Sequence, residues 1–348
     1  TPRFTAPSRR TAPLIVNTPA PTDVSLMDRA INNAHGVRGT TAPNPWVGAV
    51  ILNSDGETFD GATSPPGGPH AERVAIDLAG PKARGATLFT TLEPCCHEGR
   101  TPPCVSQIIE SGVSRVVIGI TDPDPHVSGR GISALRDAGI EVVEGVRKRQ
   151  IADQLEPYLY QRATGKPWVV LKMALTMDGR TAAPDGSSEW ITSQEARSDV
   201  HAIRARCDAV LVGAGTIRSD DPSLTTRFVA GSDPQRIVLG KAPPDARVHP
   251  CWELEGDLDE LMLELGSRGV VDLLVEGGAD VAATLHEKGL VNEYVFYMAP
   301  ALMGGEEGRP VFAGPGSATM AELWRGELRD VRKIGSDLRV EFRPTKGD

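Results

Sequence analysis

The chain has 348 residues, 40% of them hydrophobic and 24% charged, with a formal net charge of −9. That length suits two folded domains better than one core, and the composition is that of a globular protein. The acidic balance argues against a nucleic-acid partner, although a few arginines can still hold one small anion, and no apolar run reaches the roughly 20 residues of a membrane span.

In chain order, residues 1–22, "TPRFTAPSRRTAPLIVNTPAPT", are expected as a mobile Pro/Thr-rich tail without the apolar core of a secretory signal. Residues 23–147 form the first expected domain. Residues 24–34 read as an amphipathic helix, and "PNPWVGAVILNSDGE" as a turn, a strand at 47–52 and a hairpin turn at 54–56. "HAERVAIDLAG" is a helix closed by Gly80, and "GATLFTTLEP" a strand closed by Pro94. Then follow "CVSQIIESGV" as helix, "SRVVIGITDPDP" as strand, "GISALRDAGI" as helix and "EVVEGV" as strand. This alternation predicts an α/β domain with a mostly parallel sheet covered by helices.

Residues 148–166, "KRQIADQLEPYLYQRATGK", read as a polar helical junction. Residues 167–348 open a second α/β series, with no internal repeat linking it to the first. It comprises "WVVLKMALTMDGRTA", the helix "EARSDVHAIRARC", the strands "DAVLVGAGT", "QRIVLG" and "VVDLLVEGG", the helix "ADVAATLHEKGL" and the strand "VNEYVFYMAP". A closing hairpin turns at Gly335–Ser336.

The five cysteines are an odd, uneven set, poor material for a disulfide framework and better suited to a reducing cytoplasm, where clustered cysteines more often bind metal. Three lie in "TTLEPCCHEGRTPPC". His70 and Glu72 stand at the start of a predicted helix, Cys95 follows Pro94 at a strand end, and Cys104 opens another helix, where the N-terminus favours a thiolate. One His and two Cys give zinc three ligands and leave the fourth position to water. Glu72 is then the proton carrier. His-x-Glu followed by Pro-Cys is the signature of zinc nucleobase deaminases, but eight residues separate Cys95 from Cys104 instead of two. The longer loop carries His97, Arg100 and Thr101, all able to donate to a phosphate. A closed structural site would recruit Cys96 or His97 as fourth ligand, and would leave Glu72 without a purpose.

In the second half, "DLLVEGGADVAATL" places two glycines between strand and helix, where bare N–H groups can face a phosphate or simply cap the helix. "VGAGTIR" lacks the third glycine of a dinucleotide fingerprint. Arg204 and Arg227 suit a phosphate by charge, or are solvated. Glu276, ending a strand, lies where open sheets bind ligands, or is a structural carboxylate, and Trp190 could be core. His35, His126, His201, His249 and His286 carry no assignment, and most of them are expected at the surface. No side chain in this half presents itself as a proton donor.

"APNPWVGAV", "HAE", "TLEPCCHEGRTPPC" and "DPDPHVSGRG", followed by "LKMALTMDGRTA", "EWITSQEAR" and "DDPSLTTR", resemble the bifunctional deaminase–reductases of riboflavin biosynthesis from about Ser25 to the C-terminus. The resemblance implies a cytidine-deaminase-like three-layer domain, then a dihydrofolate-reductase-like domain. It implies zinc on His70, Cys95 and Cys104, proton transfer by Glu72, and pyrimidine-nucleotide contacts at Asn44, His97, Arg100, Asp122 and Asp124. The family usually has Asn at position 124 and Ser at position 96. For the second domain it implies NADPH on Ala174, Trp190, Thr216, Asp220, Gly277, Gly278 and Ala279, within a segment 277–283. Substrate contacts fall on Ser188, Arg204, Leu224, Arg227 and Glu276, and Gly240 replaces a small hydroxyl residue. It further implies a small phosphorylated pyrimidine as partner, no nucleic acid or membrane, and a homodimer or homotetramer. Two other readings stand beside it: a deaminase of a tRNA base, and a single-activity zinc deaminase with a non-catalytic second domain.

Overall fold

The computed structural model describes residues 20–97 and 102–345; residues 1–19 of the expected tail, together with Arg100 and Thr101, lie outside them. The first domain is a five-stranded sheet in the order β2-β1-β3-β4-β5, built from Gly48–Leu52 (β1), Thr58–Ala62 (β2), Thr87–Leu92 (β3), Arg115–Ile120 (β4) and Glu141–Glu144 (β5). Helices Pro21–His35 (α1), Ala71–Ala79 (α2), Cys104–Ser111 (α3) and Arg130–Asp137 (α4) connect and cover it. The first helix starts at Pro21, inside the segment expected as tail, because proline is pre-organised for a first helical turn.

Only β3, β4 and β5 run parallel; β1 is antiparallel to both β2 and β3. The turn after "ILN" makes β1–β2 a hairpin, and Asn53 Oδ1 fixes it by accepting from the N–H groups of Asp55 and Glu57. Small residues seat α2 on this edge. A Cβ on Gly61 would lie 2.1 Å from the Ala71 carbonyl oxygen, so only glycine lets the helix bearing Glu72 come this close.

The segment expected as a polar junction folds into two short helices, Lys148–Gln154 (α5) and Glu156–Thr164 (α6). Ile151, Leu155 and Tyr158 are buried in the first domain's core. Their neighbours on the outer face are polar, which is why the sequence reads as a linker.

The second domain carries an eight-stranded sheet in the order β10-β9-β8-β11-β6-β12-β15-β14. Its strands are Trp168–Thr176 (β6), Ala209–Gly213 (β8), Gln235–Leu239 (β9), Trp252–Leu254 (β10), Asp272–Val275 (β11), Glu293–Ala299 (β12), Gly326–Ile334 (β14) and Asp337–Pro344 (β15). Arg180–Ala182 (β7) and Arg309–Pro310 (β13) form a separate small ribbon. Helices Gln194–Arg206 (α7), Ala214–Asp220 (α8), Leu258–Ser267 (α9) and Ala279–Glu287 (α10) pack on the large sheet. Alternate residues of β6 feed opposite faces: Val169, Leu171, Met173 and Leu175 join one core, Trp168 and Val170 the other.

Two differences from the predicted elements follow from local chemistry. "DAVLVGAGT" is strand only to Gly213 and then turns directly into α8. Helix α9 has no counterpart among the predicted elements, yet its signal is present: Asp257 caps it by accepting from the Asp259 and Glu260 N–H groups, and Leu258, Leu261, Met262 and Leu265 recur at helical spacing.

The domains are joined by more than the chain. Arg38, on the loop after α1, pairs with buried Asp272 at 2.6 Å, and Gln161 of α6 donates to the Gly266 carbonyl at 3.2 Å. Within the described residues no helix is long and apolar enough to cross a membrane.

Candidate active sites

Strand β3 ends at Leu92, and Glu93, Pro94 and Cys95 follow at its C-terminal end beside the N-terminus of α2. His70, the residue before α2, turns its Nδ1 to both sulfurs, 3.6 Å from Cys95 Sγ and 3.3 Å from Cys104 Sγ. The three donor atoms lie within 4.8 Å of one another. Glu72, on the first turn of α2 and 4% exposed, brings Oε2 to 3.7 Å from Cys104 Sγ.

The electrostatics differ from the expectation in one respect. The first N–H of α3 belongs to Cys104 but donates to Cys95 Sγ at 3.4 Å, so the helix N-terminus favours charge on Cys95. Hydrogen bonding from the Cys104 thiol, and then from His70, holds the Cys95 thiol down to about 4 against its burial. The same bond with Cys95, and burial, push Cys104 up. Two adjacent thiolates repel one another unless a cation sits between them. A nitrogen and two sulfurs at this spacing, one already poised as thiolate, therefore fit a zinc ion. Burial pushes the Glu72 carboxyl up, partly offset by His70.

A cavity of about 270 Å³ opens on this cluster and is also lined by Asn44, Glu93, His97, Asp122, Asp124, Tyr158 and Arg162. Asn44, His70, Glu72, Cys95, His97, Cys104, Asp122 and Asp124, singled out from the sequence, thus meet in one place, while Arg100 and Thr101 lie outside the described residues. Cys96 points elsewhere, its thiol directed to the His126 carbonyl at 3.6 Å. Three lining residues have no forewarning in the sequence. Glu93 accepts from the N–H groups of Asp122, Gly129, Gly131 and Ile132, tying the 122–129 loop to the strand that carries Cys95. Tyr158 and Arg162 arrive from α6. Tyr158 donates to the Asp122 carboxylate at 3.1 Å, and burial pushes that carboxyl up to about 6 despite the bonds it accepts from the Asp124 N–H and Tyr158.

In the second domain the C-terminal strand ends converge on Glu276. Arg204 of α7 grips its carboxylate with two donors, Nε at 2.5 Å and Nη2 at 3.0 Å, and donates through Nη1 to the Thr225 carbonyl. Lys172, projecting from β6, lies 3.8 Å from Glu276. It is a lysine in an otherwise apolar buried strand, a signal the sequence did carry. Burial pushes Lys172 down, opposed by Glu276. His201 corrects the expectation of a surface histidine: it is 4% exposed, because α7 turns it inward to accept from the Arg227 N–H at 3.1 Å. Burial first, then the charges of Arg204 and Arg227, hold it down to about 4. His286 is half-buried, with Nδ1 2.7 Å from the Tyr294 hydroxyl. His35, His126 and His249 are exposed, as expected.

Leu224 is buried in this region with φ of 53°, and Arg227 bonds Ser223. Gly278 faces Thr216, whose Oγ1 would lie 3.7 Å from a Cβ on that glycine, whereas a Cβ on Gly277 would press on Val281 at 2.9 Å. Bare backbone N–H groups at the start of α10, with Ala279 next, fit a cofactor phosphate. Gly240 has φ of 102° and would bring a Cβ to 3.0 Å from that of Ala214, leaving little room for a side chain. Ala174 lies on β6 opposite Tyr297. Trp190 is 70% exposed, with Arg197 stacked 4.3 Å from its ring, so it is not core. Ser188 shares its loop, and Asp220 ends α8 on the surface. Among the described residues, no hydrogen bond joins Ser188, Trp190 or Asp220 to the Glu276 cluster.

Comparison with known proteins matches residues 21–120 to the cytidine and deoxycytidylate deaminase zinc-binding region and residues 167–340 to the RibD C-terminal domain. The riboflavin biosynthesis protein RibD of Mycobacterium tuberculosis (strain H37Rv) is 42% identical over 325 residues, covering 90% of this chain and 94% of the relative. The Escherichia coli (strain K12) protein of the same name is 36% identical over 91% of this chain and 98% of its own. The structure of Acinetobacter baumannii RibD superposes with a TM-score of 0.88 at 35% identity, covering 93% of this chain and 99% of that one. A Thermotoga maritima structure, described as a diaminohydroxyphosphoribosylaminopyrimidine deaminase/5-amino-6-(5-phosphoribosylamino)uracil reductase, superposes with a TM-score of 0.83 at 36% identity and the same coverage. The first domain is cytidine-deaminase-like and the second has the dihydrofolate-reductase-like fold. The chain belongs to the RibD family of bifunctional deaminase–reductases of riboflavin biosynthesis.

Proposed function

We propose that this chain removes an amino group from 2,5-diamino-6-ribosylamino-4(3H)-pyrimidinone 5′-phosphate in its first domain and reduces the ribosyl group of the product to ribityl with NADPH in its second. The observation that carries the reading is the convergence of His70, Cys95 and Cys104 on one point, with Glu72 buried beside them at a cavity also lined by Asn44, Asp122 and Asp124.

In this reading His70 Nδ1 and the sulfurs of Cys95 and Cys104 hold zinc. When bound, zinc supplies Lewis acidity that lowers the pKa of a water toward about 7. Glu72 takes the proton of the attacking water on Oε2 and delivers it to the departing amine. Asn44, Asp122 and Asp124 orient the pyrimidine and ribose from the cavity wall, with His97 and Arg100 on the loop between the two cysteines. Asp124 can only accept hydrogen bonds while ionised, so its partner on the substrate is a hydroxyl or amino group.

In the second domain, Ala174, Trp190, Thr216, Asp220 and the Gly277–Gly278–Ala279 turn hold NADPH, which brings the hydride chemistry. Ser188, Arg204, Leu224, Arg227 and Glu276 hold the nucleotide. The Arg204–Glu276 pair is largely buried and joined through two donors, and stands on the substrate side of the site in this reading. Association as a dimer or tetramer belongs to this reading, supported by Leu328 and Val331 standing exposed on the edge strand β14. A cytoplasmic location is supported by all five cysteines lying outside disulfides.

The direct test is an assay of the purified chain with the diaminopyrimidinone nucleotide, following ammonia and the NADPH absorbance band together. One NADPH is expected to disappear per ammonia released. Ammonia without NADPH loss, even when the deaminated nucleotide is supplied, would leave a single-activity deaminase.

A further inference from the structure

We infer that Arg162 is a further cation that admits a phosphorylated pyrimidine to the deaminase cavity, taking 5′-phosphate oxygens on its guanidinium beside the loop of His97 and Arg100; this rests on the deaminase reading above. The described lining of the cavity includes four carboxylates, Glu72, Glu93, Asp122 and Asp124, and one Lys or Arg, which is Arg162. Arg100 lies outside the described residues. A dianionic substrate moving into such a cavity is repelled unless a positive group faces it.

The side chain is held as a receptor would be. Arg162 Nη1 stands 3.5 Å from Asp124 Oδ2, longer than the 2.7–2.9 Å of a tight charge-assisted bond. Its Nε is buried without a hydrogen-bond partner. Asp124 therefore leaves most of its donors unspent, and the side chain keeps 26% of its surface open. The guanidinium carbon lies 5.2 Å from the centre of the Tyr158 ring, one helical turn earlier. Tyr158 is itself pinned to Asp122, which fixes this platform. Asp124 is anchored too, its Oδ1 accepting from the His126 N–H and its own N–H donating to Asp122. A planar guanidinium with free donors, fixed by a ring and loosely held by a carboxylate, matches two phosphate oxygens. The cation comes from α6, between the domains, so the deaminase pocket is not completed by residues 23–147 alone.

The test is steady-state ammonia release by the zinc-loaded full chain, with the nucleotide and with its dephosphorylated nucleoside. Arg162→Met is expected to raise KM for the nucleotide roughly 10- to 100-fold and leave KM for the nucleoside unmoved. Arg162→Lys recovers part of the loss, and covers the case in which the Met variant does not fold, which its zinc content would reveal. The double variant Asp124→Asn, Arg162→Met keeps the nucleotide defect when measured against Asp124→Asn alone. Equal rises for both compounds, an unmoved KM, or a double variant whose KM equals that of Asp124→Asn alone would overturn the inference; the last outcome would reduce Arg162 to a neutraliser of Asp124. Absence of ammonia from the wild type with either compound would instead remove the deaminase reading on which the inference stands.

Discussion

Replacing Glu72 with glutamine is expected to slow ammonia release by roughly 10²- to 10⁴-fold, the range of a lost general acid/base, with zinc still bound and NADPH oxidation on the deaminated nucleotide intact. Glutamine keeps the size of the side chain and one oxygen, so packing on α2 and the three ligand atoms are undisturbed. What it loses is the ability to accept a proton and give it back. Glu72 is buried against Cys104 and borders the cavity, and the described structure offers it no arginine or lysine partner that would explain a purely structural carboxylate. Ammonia release within about tenfold of wild type would mean that the proton travels by another route.

The second large effect concerns the other half of the molecule. Glu276→Leu is expected to cost about 3–5 kcal/mol of stability and to abolish NADPH oxidation, because removing one member of a buried ion cluster strands the others. Arg204 and Lys172 both depend on this carboxylate. Burial alone would push Glu276 up; the charges of Arg204 and Lys172 outweigh it and hold the carboxyl down to about 2, from an ordinary 4.5. A depressed carboxyl stabilises the fold fully above its unfolded value and loses that contribution as pH falls from about 4.5 toward 2. Urea unfolding of wild type and variant should therefore differ most at neutral pH and converge in acid. Equal stability at pH 7 would show that the cluster is solvated rather than buried.

Much of the first site was legible because its ligands sit at element ends. A strand terminated by Pro94, a helix opened after Pro103 and a His-x-Glu at another helix start are local signals, and the fold brings such ends to one edge of the sheet. Tyr158 and Arg162 were hidden for the opposite reason. They lie in a segment whose polar face mimics a linker, and only the packing of Ile151 and Leu155 turns them toward the cavity. His201 went unread because burial of a polar side chain depends on its partner, Arg227, which is distant in sequence, whereas Lys172 stood out in its apolar strand and only its pairing with Glu276 was hidden. For Trp190 only the alternative reading as core is removed, because its loop carries it outward over Arg197.

Everything said of the first domain depends on a metal held by only three side chains. X-ray absorption at the zinc edge of the purified protein, with the metal content per chain, measures this directly. The expected result is one zinc per chain with two sulfurs, one imidazole nitrogen and one further light atom from water. A third sulfur, a second imidazole, or a chain without stoichiometric zinc would contradict it, the first two by pointing to Cys96 or His97 closing the site.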